Sequence, residues 1–145
     1  MTSARHSAIL DAYKAGGSPF NSWAEEKLGR LLLTHWEPGR LAMRWEIDDR
    51  FVMPDGVMFG GHVAAVADHV AGLITMTALE ANEDRFRTAR LETNFFRPVM
   101  KPHAAIEGRV VNASKTLLHV EADFFNAEGK LAVRIAAAQV KRAAG

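Results

Sequence analysis

The stretch that decides the fold is Phe59–Leu79, FGGHVAAVADHVAGLITMTAL. It opens on a glycine-rich turn, Phe59-Gly60-Gly61-His62, and runs into an apolar helix predicted over Val63–Leu79. One carboxylate, Asp68, interrupts the apolar run. Ala64, Ala65, Ala71 and Gly72 lie three or four positions from it, on the same side of the helix. Burying a carboxylate there is costly unless the group is paired or put to use. The small neighbours leave room for a molecule to reach it. At the helix start, free backbone N–H groups of the Gly60-Gly61 turn and the helix dipole favour negative charge. One segment thus supplies a carboxylate and an oxyanion-type donor site.

The chain around this segment is that of an ordinary globular domain. Its 145 residues are 48% hydrophobic and 24% charged, enough for one real core. A formal net charge of +1 gives no electrostatic case for nucleic acid or an anionic membrane. The absence of cysteine excludes disulfides, thiolate metal sites and a cysteine nucleophile, and fits a reducing compartment. Met1 to His6 lack an apolar signal core, so a cytoplasmic location is expected. Val63–Leu79 is short for a membrane span and carries Asp68 and His69 at its middle, which favours a core helix.

Before the central helix, residues 4–15 predict a short amphipathic helix with Ile9, Leu10 and Tyr13 on one stripe, stopped at Gly16-Gly17. Ser18-Pro19 opens a loop, with one helical turn near Phe20 to Lys27. Leu31–Trp36 and Leu41–Ile47 predict a hairpin. In its second strand Leu41, Met43, Trp45 and Ile47 alternate with polar or small residues. After the helix, strands are predicted over 87–96, 104–112, 117–126 and 131–141, the last two joined by Ala127-Glu128-Gly129-Lys130. The Phe95-Phe96 and Phe124-Phe125 pairs are expected in the sheet core and at an interface. A helix apolar nearly all round must be covered all round. A curved antiparallel sheet wrapped around one central helix meets that demand, giving an α+β hotdog fold. Another α+β sandwich is the alternative. One domain is expected over 1–145, with a helical extension over 1–27 and the hotdog core over 28–141.

Gly60-Gly61 followed by Asp68 inside an apolar helix after a hairpin resembles the PaaI-like branch of the hotdog acyl-CoA thioesterases. Thr88, the run Leu91-Glu92-Thr93-Asn94-Phe95-Phe96-Arg97-Pro98 and the closing Asn126-Ala127-Glu128-Gly129-Lys130-Leu131 extend the resemblance over roughly residues 28–141. It implies hydrolysis of an acyl-CoA thioester to free acid and coenzyme A. The amides at Gly60-Gly61 would hold the carbonyl oxygen, Asp68 would act as general base or nucleophile, and Thr88 would place water or the carboxylate. Coenzyme A is then part of the substrate, and neither metal nor other cofactor is implied. Two positions depart from the family. It usually has His just before the paired glycines, where this chain has Phe59, and often Asn six residues earlier, where this chain has Met53.

Several readings stay open from the residues alone. Asp68 reads also as a structural acid, Gly60-Gly61 as a tight turn only, and Thr88 as an ordinary strand residue. His62 and His69 share a helical face but stand about 10 Å apart along it, too far for one metal ion. Met53, Phe59 and His62 are candidate substrate contacts, and Arg97, Lys101 and Lys115 are candidate holders of coenzyme A phosphates. Gly60 and Asp68 stand about 12 Å apart along the helix, so one carbonyl meets both only if two subunits share a site. The expected assembly is a homodimer, or a dimer of dimers. The main alternative is a non-catalytic hotdog module that binds acyl-CoA or acts in assembly; a dehydratase is a weaker one.

Overall fold

The structure, a computed structural model, describes residues 2–143; Met1, Ala144 and Gly145 of the expected 1–145 domain lie outside the described residues. In chain order the elements are α1 (Ala4–Lys14), α2 (Pro19–Lys27), β1 (Arg30–Glu37), β2 (Arg40–Glu46), α3 (Gly60–Met76), β3 (Glu83–Phe95), β4 (His103–Ala113), β5 (Leu117–Phe125) and β6 (Leu131–Ala143). The strands form one six-stranded sheet in the order β1-β2-β4-β5-β6-β3, and every neighbouring pair is antiparallel. The sheet curves around α3, and this is the hotdog fold.

Alternation along the strands builds the inner face. Leu41, Met43 and Trp45 of β2 are buried, as are Leu118, Val120, Ala122 and Phe124 of β5 and Val133, Ile135 and Ala137 of β6. They meet Val63, Val66, Val70, Leu73 and Ile74 of α3, which are buried too. The helix comes very close to β4. A Cβ on Gly108 would lie 2.5 Å from Ile74 Cδ1 and 2.7 Å from its Cγ1, so only glycine lets the two elements seat there. Phe124 packs edge-on against Trp45, with ring centroids 6.3 Å apart.

Four expectations are corrected. First, Ser18-Pro19 opens a nine-residue helix, α2, and not merely one turn. Ser18 and Asn21 form a reciprocal capping box, and Pro19 occupies the first turn, where its missing N–H costs nothing. Second, α3 begins at Gly60 and not Val63, so the diglycine is its first turn. Third, α3 is not covered all round: Gly61, Ala65 and Asp68 form an exposed stripe, so Asp68 is not buried within the chain. Fourth, Phe95 and Phe96 are not core residues; both rings are about half exposed, whereas Phe124 is fully buried. The Phe96 and Arg97 amides both donate to Ala132 O, and the chain leaves the sheet at that corner.

Candidate active site

Asp68 projects from the exposed stripe of α3 toward β3. Thr88 Oγ1 donates to its Oδ1 across 2.8 Å. The aim of Thr88 has a local cause. Thr88 pairs with Gln139 of β6, but Arg90 pairs with Ala138, so Ala89 is an extra residue and β3 bulges there. A bulge bends a strand and redirects side chains. Asp68 stands at the edge of a cleft of about 660 Å³ with mainly apolar walls. Pro19, Phe20 and Trp23 of α2 form one side, Phe86 and Arg87 of β3 another, and Ala65, Gly72, Leu73 and Met76 of α3 the floor.

His69 lines the same cleft beside Asp68. Its Nε2 lies 3.0 Å from the Tyr13 hydroxyl, and its ring sits against Tyr13 and Trp23, at centroid distances of 5.8 and 5.6 Å. Burial depresses its pKa from 6.5 to about 4, against an opposing pull from the Asp68 carboxylate. Burial also pushes the Tyr13 phenol above its ordinary value. The pair is therefore a neutral hydrogen bond at physiological pH.

The diglycine forms the pole of α3 nearest a second cleft. The Gly60 and Gly61 amides donate to no carbonyl among the described residues, and Phe59 offers no side-chain cap. They are the orphan donors of a helix N-terminus. The Phe59 ring is 58% exposed and lies over Gly61; a Cβ there would meet its Cε1 at 2.9 Å. Phe59, Gly61, Met53, Arg50, His62 and Ala65 help line this cleft of about 460 Å³. Ala65 borders both clefts, so the exposed stripe of α3 links them.

The remaining candidates disperse. His62 turns toward the body of the protein: its Nε2 lies 2.6 Å from Leu28 O and its ring stacks on Phe51 at 3.8 Å. Packing thus engages the ring expected to face substrate. Arg97 Nη1 donates to Leu131 O at 2.7 Å and borders a groove with Met53, Gly60 and Phe95. Lys101 pairs with Asp49. Lys115 stands at the other pole, beside Ala78 and Glu80, so one chain does not bring it to Arg97 and Lys101. Sequence reasoning missed Gln139, a fully buried residue whose side-chain Oε1 lies 3.1 Å from Thr88 Oγ1. Period-two alternation through Val133, Ile135 and Ala137 was the signal that places it on the inner face.

The sequence matches the thioesterase superfamily over residues 55–133, and the chain belongs to that superfamily. It is a thioester hydrolase with the hotdog fold, and its diglycine-to-Asp68 spacing and Arg97-Pro98 corner resemble those of the PaaI-like branch. A Saccharolobus solfataricus protein described as an inferred esterase is 32% identical over 98 residues, covering 68% of this chain and 69% of that protein. A Ralstonia eutropha protein described as related to phenylacetic acid degradation has the same fold, with a TM-score of 0.78 at 22% identity over 91% of this chain and 98% of that one. A Streptococcus pneumoniae thioesterase crystallised with coenzyme A does too, with a TM-score of 0.76 at 16% identity over 86% of this chain and 94% of that one. Among the described residues, no helix is long and apolar enough to cross a membrane.

Proposed function

We propose that the chain hydrolyses an acyl-CoA thioester with a medium-chain or aromatic acyl group, releasing the free acid and coenzyme A. The observation that carries this reading is the Asp68 carboxylate, exposed at the edge of an apolar cleft and oriented by Thr88. The acyl group lies in the cleft of about 660 Å³ between α2, α3 and β3, a size in the usual range for small-ligand sites. Asp68 either takes a proton from the attacking water or attacks the carbonyl carbon itself. Negative charge then develops on the carbonyl oxygen, where the Gly60-Gly61 amides of a second subunit donate to it. The tetrahedral species collapses, the carbon–sulfur bond breaks, and the thiolate leaves and takes up a proton. On the nucleophilic route a water then hydrolyses the acyl-Asp68 anhydride, releasing the free acid and restoring the carboxylate. Coenzyme A bound to the Streptococcus pneumoniae relative supports the choice of thiol. Arg97, Lys101 and Lys115 are proposed to meet its phosphates, with Lys115 supplied from a different pole than the other two.

The test is a chromogenic thiol-release assay over acyl-CoAs of varied length and aromaticity, on wild type and Asp68→Ala together. Turnover by wild type that collapses in Asp68→Ala supports the reading. A second reading, an acyl-CoA-binding hotdog module without catalysis, is favoured by the Phe59 ring over Gly61. Acyl-CoA binding with no turnover across the whole panel would select it.

A further inference from the structure

Thr88 Oγ1 has two neighbours that both read as acceptors, Asp68 Oδ1 at 2.8 Å and Gln139 Oε1 at 3.1 Å. A hydroxyl has one proton and donates to one of them only. On the other end of the amide, Gln139 Nε2 is buried and has no partner among the described residues. A half turn of the terminal amide exchanges its oxygen and nitrogen with no change in packing. After that turn an amide N–H donates to Thr88 Oγ1, and the Thr88 proton goes to Asp68 Oδ1. Two hydrogen bonds form where the unturned amide permits one.

The location of Gln139 gives this arrangement weight. On β6 the inward positions Val133, Ile135 and Ala137 are apolar and buried, and Gln139 takes the next inward slot with no exposure. A carboxamide in a core is costly unless it is bonded. It stands opposite Thr88 in the β3–β6 register, beside the bulge that aims the threonine. We propose that Gln139 is a positioning residue: its amide donates to Thr88 Oγ1, which commits the threonine proton to Asp68 and holds the carboxylate in one orientation at the cleft. This role rests on the reading of Asp68 as the catalytic carboxylate.

The test has a kinetic and a spectroscopic arm. On the best substrate of the acyl-CoA panel, Gln139→Met lowers kcat about tenfold with KM unchanged, and Thr88→Val does the same. The double variant is no slower than Thr88→Val alone, because each single change breaks the same relay. Gln139 is the chain's one glutamine, so labelling with ¹⁵N-glutamine gives a single side-chain NH₂ pair. One proton of that pair is shifted and protected from exchange in wild type and loses both properties in Thr88→Val, whose exposed site leaves folding intact. Losses that multiply in the double variant, or an NH₂ pair indifferent to Thr88→Val, overturn the relay while Asp68 stays catalytic. Wild-type turnover by Asp68→Asn overturns the reading of Asp68, and the positioning role with it.

Discussion

The Thr88 hydroxyl donates to Asp68 Oδ1 across 2.8 Å, and this one bond ties the edge strand β3 to the uncovered face of α3. It holds a carboxylate in the open that sequence alone assigned to the interior. An exposed side chain with one surface partner contributes little to folding, so its role and the fold's stability separate. Asp68→Asn is expected to lower kcat about 100-fold or more while changing stability by no more than about 0.5 kcal/mol. Thiol release and a thermal melt on the same preparation check this. A melting temperature that falls in step with activity would make Asp68 a structural residue.

Asp123 predicts the reverse. It is 7% exposed on β5, and Arg134 and Arg109 reach it across 2.7 and 3.2 Å. Burial alone raises its pKa; the two guanidiniums outweigh that and hold it below 3.8. Its contribution is therefore present above pH 4 and is lost as pH falls through the depressed value. Asp123→Asn leaves Arg134 short of its anion, whereas Arg109 keeps Glu121 at 3.3 Å. The expected cost is about 2 kcal/mol, below the usual range for a buried pair because Arg134 stays about half exposed. Denaturant unfolding at pH 7 measures the cost, and kcat stays near that of wild type.

His69 sets the acid response above that window. Its folded pKa of about 4 lies below the ordinary 6.5, so the unfolded chain binds the extra proton between those values. Stability then falls as pH drops from 6.5 to 4, by at most about 3 kcal/mol from this residue. Burial lowers His6 in the same direction. His69→Phe keeps the ring between Tyr13 and Trp23 and removes the titration. The expected result is a flatter loss of melting temperature over pH 6.5 to 4, with the His6 contribution remaining. An unchanged slope would remove His69 from the acid response.

Phe59 occupies the place where the family usually has His, and its ring covers Gly61. An imidazole there restores a polar group beside the thioester. Phe59→His is expected to raise kcat/KM about tenfold, the value of one added hydrogen bond in the transition state. The ring is 58% exposed, so the change leaves the core untouched. Equal or lower kcat/KM across the acyl-CoA panel would show that the phenyl ring does not limit the reaction.

Much of this molecule was legible in its residues, and the exceptions have physical reasons. Leu41, Met43, Trp45 and Ile47 announced β2 because burial on one face imposes a period of two. Gly39 and Gly129, at φ of +84° and +79°, sit at turns that demand a left-handed backbone. The helix α2 escaped because Ser18-Pro19 signals a loop entrance and a helix entrance equally well. Asp68 was placed inside because an apolar helix reads the same whether its last face meets its own sheet or is left open. Gln139 escaped because one amide after Ala136-Ala137-Ala138 carries no weight until Thr88 is seen opposite it.

That uncovered face leads to the remaining prediction. Gly60 and Asp68 are eight residues apart on one helix, about 12 Å along its axis, so a shared carbonyl requires Gly60 of one subunit and Asp68 of the other. Gly60→Pro is a clean way to remove a donor. Gly60 is the first residue of α3, where proline is tolerated, and a Cβ there meets only Phe95 at 3.8 Å. Phe59, at φ −56° and ψ 126°, already has the extended backbone that a following proline requires. Gly60→Pro alone and Asp68→Asn alone are each expected to be nearly inactive. Co-expressed in equal amounts, they form half heterodimers, each with one intact site out of two, so activity returns to about a quarter of wild type. Size-exclusion chromatography and tagged co-purification isolate the heterodimer, whose specific activity should approach half that of wild type. A heterodimer as inactive as its parents would place both groups on one chain and overturn the shared site.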